Sequence, residues 1–168
     1  MIIRPYREAD AAATRAIYER AVHGSAATHY SREQLDAWAP QADAAGLARW
    51  GAQRGAAQTV VALEDGQAAG FSDLVDRTLL DMLFVDPRFG RRGIGSALIS
   101  AIVNLARDEG APYVETCASM TALPVFERNG FVVVAEEAAV IRGVVLTNFR
   151  MRFDLAAAGS QVATSYPR

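Results

Sequence analysis

The sequence predicts a mixed α/β fold, a sheet with helices on both faces. Three observations carry this. Helical spacing dominates the first third of the chain. A run of short alternating segments with a tight turn follows. A glycine-rich loop then joins a strand to a long amphipathic helix.

Each element has its own signal. Ile2 to Arg4 reads as a short strand. Asp10 is placed as an N-cap, and Ala13, Ile17 and Ala21 give one apolar helical stripe through His23. Ser31 with Gln34 forms a capping box for a short helix through Trp38, stopped by Pro40. Asp43 to Arg54 reads as a further helix ended near Gly55. Thr59 to Leu63 is then strand-like, Asp65-Gly66 is a hairpin turn, and Ala68 to Val75 is the return strand. Leu79 to Val85 is a third strand, closed by Asp86-Pro87. The long helix has apolar positions at Ile94, Leu98, Ile102 and Leu105 and ends at Gly110. Pro112 to Ala118 is a strand, Thr121 to Arg128 a short helix stopped by Asn129-Gly130, and 131–135 and 144–153 two final strands. Residues 1–155 are expected to form one domain, with 156–168 as a frayed, flexible tail.

Composition narrows the function. The chain has 168 residues, 51% apolar and 21% charged, with a formal net charge of -2. It lacks the basic stripe that a nucleic-acid binder needs. The one strong basic cluster, Arg88, Arg91 and Arg92, lies among glycines and suits a small anion better than a polymer. Cys117 is the only cysteine, so no internal disulfide forms. Two histidines and one cysteine supply no ligand cluster, so no metal is expected. The opening residues lack the apolar core of a signal peptide, and no apolar run is long enough to span a bilayer. A cytoplasmic location away from membranes is the expectation.

The segment Gly90-Arg91-Arg92-Gly93-Ile94-Gly95-Ser96 carries the chemistry. Glycines at a strand-to-helix junction let a phosphate approach the backbone. The first helical amides lack internal partners, and their partial positive charge favours an anion. A P-loop would place Lys after the second glycine, but Gly95 is followed by Ser96-Ala97. A dinucleotide fingerprint would place a third glycine where Leu98 stands. A lone Gly-x-Gly would be read as a tight helix cap and nothing more.

The flanks decide between these readings. Leu83-Phe84-Val85-Asp86-Pro87 followed by Gly93-Ile94-Gly95 resembles the acyl-CoA signature of the GNAT N-acetyltransferases. Ser119-Met120-Thr121-Ala122 through Val125-Phe126 to Gly130-Phe131 resembles that family's second motif, Asn-x-x-Ala-x-x-Phe-Tyr-x-x-x-Gly-Phe. Three positions depart from the pattern: Gly90 replaces Gln or Arg, Ser119 replaces Asn, and Phe126 replaces Tyr. The resemblance implies a mostly antiparallel sheet splayed between its fourth and fifth strands. It implies acetyl-CoA as co-substrate, with the pyrophosphate on Arg91, Arg92, Gly93, Ile94, Gly95 and Ser96. It also implies pantetheine beside Leu83, Phe84, Val85, Ser119 and Phe126, and a thioester carbonyl held by amides near Val85. The acceptor it implies is an amine, on a small molecule, an amino acid or a protein N-terminus. A homodimer stays open.

An amine acceptor must lose a proton, so a base is needed. Asp81 is the first candidate: a carboxylate in the middle of an apolar strand, sharing a face with Leu83 and Val85 if alternation is regular. Asp73 is the second, although it reads more simply as a solvated strand residue. His23 reads as a favourable helix-terminal charge, and His29 has no better claim. Trp38 has two readings, acceptor-site lining or core, with core the better one, and Cys117 reads as a small buried apolar residue without a His-Asp partner. Phe126 has no hydroxyl to protonate the departing sulfur. The alternative to a transferase is therefore an acyl-CoA-binding regulatory module with weak turnover.

Overall fold

The computed structural model describes residues 1–155. The expected tail, 156–168, lies outside the described residues. The strands are β1 (Ile2–Pro5), β2 (Gln58–Glu64), β3 (Gln67–Val75), β4 (Leu79–Val85), β5 (Tyr113–Ser119), β6 (Val132–Ile141) and β7 (Val144–Asp154). The helices are α1 (Ala11–Gly24), α2 (Arg32–Trp38), α3 (Ala44–Ala56), α4 (Ile94–Asp108) and α5 (Leu123–Arg128). One sheet runs in the order β1-β2-β3-β4-β5-β7-β6. All neighbours are antiparallel except β4 and β5, which are parallel and share a single register pair, Leu79 with Glu115. Beyond that pair the two strands separate, and the cleft that opens between them holds the candidate site.

Two apolar clusters clamp the sheet. On one face Ile94, Leu98, Ile99 and Ile102 of α4 pack with Leu80, Val114 and Met151. On the other, Ile17, Tyr18 and Val22 of α1 pack with Trp50, Val61 and Phe71. Gly70 permits the first contact. A Cβ there would lie 2.9 Å from the Phe84 carbonyl oxygen and 3.1 Å from both Ile94 Cγ2 and Leu98 Cδ1. Composition and spacing gave no hint of that close approach.

Local signals formed most elements as expected. The Ser31–Gln34 capping box is complete in both directions. Asp43 caps α3 by accepting from the Gly46 amide at 2.7 Å. Asp10 differs. Its side chain makes no cap bond to α1. It instead takes a two-pronged ion pair from Arg4 at 2.7 and 2.8 Å and accepts the Arg7 amide. A guanidinium in fork geometry outcompetes a helix amide for one carboxylate. The strand begun at 131–135 also runs further, to Ile141. Glu136, Glu137 and two alanines have weak strand preference, but a tight turn at Arg142 and Gly143, both at positive φ, folds them against β7. The short helix expected from Thr121 starts at Leu123.

Candidate active site

The anion-binding candidate is the start of α4. Gly93 is its N-cap and sits at φ +78°, a left-handed conformation that side chains with a Cβ resist, and no side chain caps the helix. The Ala97 amide makes the first helical bond, to Gly93, so the three amides before it have no helical acceptor. A Cβ on Gly93 would meet no atom within 4 Å, and one on Gly95 only ordinary contacts with Val125 and Val85. The cradle is therefore open. Gly90, by contrast, has an ordinary φ of -57°.

The three arginines of the basic cluster go to different places. Arg91 lines the cavity beside the cradle, together with Arg128 of α5. Arg92 is exposed, with its guanidinium 5.6 Å from the Phe89 ring centroid. Arg88 turns back onto Asp86, at 2.7 Å. Asp86 is fully buried and also takes Arg20 of α1 at 2.6 Å. Burial alone would raise its pKa, but hydrogen bonds from Arg88 and Arg20 hold the carboxyl well below its usual range. Asp86 thus ties the end of β4 to α1 beside the cradle. Ser96 accepts a hydrogen bond from Asn129 Nδ2 at 2.9 Å, linking the start of α4 to the end of α5.

Two cavities occupy the cleft. One, of 310 Å³, runs from the cradle along Leu83, Phe84 and Val85. The second, of 250 Å³, contains Asp81, Tyr18, Tyr30, Cys117 and Phe126. Trp38, Leu83, Phe84, Ser119 and Ala122 line both, so the cavities meet there. The Asp86 amide bonds to Ala69 on β3. Alternation then turns the Leu83 and Val85 amides to the opposite edge, toward the cleft. Phe126 is almost wholly buried, and its ring packs against Phe131 at 5.1 Å.

The carboxylates depart from regular alternation. Asp73 pairs with Met82, but the next pair is Leu74 with Leu80, so Asp81 stands opposite no residue. It is the extra residue of a β-bulge. Leu80 therefore joins Leu83 and Val85 on the α4 face, and Asp81 does not follow their spacing. Asp81 is exposed at the cavity wall, not buried in the strand. Asp73, expected to be solvated, is completely buried. Its Oδ1 accepts the Met82 amide at 2.9 Å, filling the bond that the bulge leaves open. Its Oδ2 lies 2.8 Å from Arg54 Nη1. Burial pushes the Asp73 carboxyl up to about 6, against the pull of Arg54. Asp73 does not line either cavity.

The remaining candidates sort plainly. Trp38 is half-buried and lines both cavities as well as packing on the core. Cys117 is exposed at the second cavity, because alternation along β5 turns Thr116 and Ala118 inward instead. Burial and nearby Glu137 still push its thiol up, away from the nucleophilic thiolate. His23 Nε2 lies 2.9 Å from the Ala39 carbonyl. His29 Nδ1 lies 3.2 Å from Thr121 Oγ1. Tyr30 stands in the segment after α1 that the family resemblance places over the acceptor cleft. Arg54 and Asn148 were not singled out by sequence reasoning, because Arg54 meets Asp73 from a separate helix and Asn148 reaches the cavity from β7, and neither leaves a local pattern. Among the described residues no three His, Cys, Asp or Glu side chains gather as a metal site would need, and no helix is long and apolar enough to cross a membrane.

Comparison with known proteins shows the family. Residues 26–153 match the family model described as an acetyltransferase (GNAT) domain. The chain is 40% identical over 151 residues to YafP of Escherichia coli K12, described as an uncharacterised N-acetyltransferase, covering 90% of this chain and 94% of that protein. It is similar to the crystal structure of a GCN5-related N-acetyltransferase from Rhodopseudomonas palustris, at 34% identity and a TM-score of 0.87, covering 92% of this chain and 95% of that one. It shares its fold with yncA from Salmonella typhimurium, a putative acetyltransferase solved with acetyl-CoA, at 23% identity, a TM-score of 0.69 and coverage of 100% and 98%.

Proposed function

We propose that this chain, which belongs to the GNAT acetyltransferase family, moves an acetyl group from acetyl-CoA to a primary amine by direct attack in a ternary complex. The observation that carries this is the meeting of the two cavities at Leu83, Phe84 and Ser119. One leads to an open helix start flanked by arginines. The other leads to a carboxylate.

The residues divide the work. The amides at the start of α4, with Arg91, Arg92 and Arg128, hold the pyrophosphate of acetyl-CoA. The pantetheine lies along Leu83, Phe84, Val85 and Ser119, beside the buried ring of Phe126. The cleft-facing amides of Leu83 and Val85 stabilise negative charge on the thioester oxygen during attack. Asp81 attracts the acceptor's ammonium and relays a proton from it to the water that the side chain faces. The freed nitrogen then bonds to the carbonyl carbon, the carbon–sulfur bond breaks, and CoA leaves as a thiolate. The new amide nitrogen sheds its second proton, and the thiolate takes one up. One ammonium and one thioester thus yield one amide, one thiol and one released proton.

Asp73 acts through the backbone. Its bond to the Met82 amide keeps the bulge that places Asp81 at the cavity wall. Phe126 favours one competing reading, a CoA-binding module with weak turnover, because no hydroxyl stands there. A thiol with a pKa of about 8.5 is nonetheless a tolerable leaving group without a proton donor. The deciding experiment is Asp81→Asn. Amine-dependent CoA release should fall by about 10²–10⁴-fold, with acetyl-CoA affinity from calorimetry unchanged. An unaltered rate at saturating amine would remove Asp81 from the mechanism.

A further inference from the structure

The acceptor cavity is chemically one-sided, and this narrows what can enter it. Tyr18, Phe84, Trp38 and Tyr30 form a continuous aromatic wall, with ring centroids 4.9, 6.2 and 5.4 Å apart in that order. Both tyrosine hydroxyls are already committed. Tyr18 donates to the Trp38 carbonyl at 2.6 Å. Tyr30 donates to the Thr147 carbonyl at 2.7 Å and accepts the Met120 amide at 2.9 Å. Burial keeps both phenols protonated, with Tyr18 pushed up to about 12. They present ring faces, not charges or spare donors.

The one charge left over is an acceptor, and the neutral hydroxyls of Thr116, Ser119 and Thr147 line the cavity beside it. Asp81 is the one charged residue among the described residues lining this cavity, and no lysine or arginine joins it. Asn148 also lines it, and its side-chain oxygen is buried without a hydrogen-bond donor among the described residues. A buried acceptor lacking a donor is unfavourable until something supplies one. Nearby Arg150 is held by Glu137 at 2.9 Å on the exposed face of the sheet.

The geometry points to a specific acceptor class: a primary alkyl- or arylalkylamine that is cationic at its amine, apolar in its body and free of any carboxylate. This rests on the transferase reading above. An ammonium finds Asp81, the Asn148 oxygen and the faces of electron-rich rings, all of which favour a cation. An apolar body finds aromatic walls. A free amino acid would bring its carboxylate against Asp81 with no cation to receive it, and burying such an anion unpaired is strongly unfavourable. A polyhydroxylated polyamine would leave its hydroxyls facing rings and its extra ammoniums without a second carboxylate to pair with.

The test compares matched acceptors with the wild-type chain and acetyl-CoA. Phenethylamine and phenylalanine share the amine and the ring and differ by the carboxylate. Kanamycin serves as the polar polyamine. CoA release is followed at saturating acetyl-CoA, whose binding is measured separately by calorimetry. The expected kcat/KM for phenethylamine exceeds that for phenylalanine by about a hundredfold or more, and exceeds that for kanamycin. Equal or better turnover of phenylalanine or kanamycin would overturn the assignment while leaving the transferase intact. Binding of acetyl-CoA with no release for any primary amine would defeat the transferase reading, and this assignment with it.

Discussion

Replacing Arg54 with methionine removes the partner of a carboxylate that has no access to water. Asp73 is fully buried and the Arg54 side chain is only 5% exposed. Methionine fills much of the same volume but leaves Asp73 Oδ2 without its counter-charge. Breaking a buried pair from one side costs about 3–5 kcal/mol. For a domain of this size each kcal/mol moves the midpoint by about 2–4 °C, so Tm should fall by roughly 6–20 °C at pH 7. The pH dependence follows from Asp73, whose pKa is raised to about 6 in the folded chain. A raised acid pKa means that the folded state binds the proton more tightly than the unfolded state. Stability from this group therefore grows as pH falls through 6 and is fully present below about 4. Once Asp73 is neutral, Arg54 no longer has a charge to balance. The difference between variant and wild type should shrink toward zero between pH 6 and pH 4. Thermal unfolding followed by circular dichroism across that range reads both effects. A Tm within 2 °C of wild type at pH 7, or a difference that does not change with pH, would refute the reasoning.

Two further outcomes are expected. Gly93→Val should raise the acetyl-CoA dissociation constant at least about tenfold, because a branched residue resists φ +78° and its methyls enter the open cradle; calorimetry on the folded variant checks it, and wild-type affinity would count against the cradle. Phe126→Tyr should raise turnover by less than about tenfold, whereas Phe126→Ala should weaken acetyl-CoA binding by opening a void where a buried ring stood; steady-state kinetics beside a binding titration separates the two.

The parts of this protein that were legible in advance are those whose causes are local. The helix at α4, the Asp65-Gly66 turn and the Ser31 capping box depend on residues within one or two turns of each other. Their backbone needs are written in residue type. The cradle belongs to the same class, since a glycine in the left-handed region and unpaired helical amides arise wherever that short segment forms. The family's two motifs extended this to the overall sheet and to the split beside β4. Asp10 shows where local reading stops. A carboxylate at a helix start has one preferred partner by sequence, and a different one once β1 brings Arg4 alongside.

The cleft between β4 and β5 shows the same division more sharply. The chain alone determined that a carboxylate would stand at position 81 on an apolar strand, and that a helix start fit for a phosphate would follow it. Only the tertiary structure decided which way that carboxylate faces. The β-bulge at Asp81 exists because a buried Asp73, held by Arg54 of α3, captures the Met82 amide. Period-two alternation assumes that every residue has a partner on the next strand, and here one does not. The aromatic wall opposite is assembled from α1, α2, β4 and the loop before α2, and Asn148 arrives from β7. No pattern within any one of those segments specifies the cavity. Its one-sided polarity comes from which side chains the fold leaves unpaired once all the others have found partners.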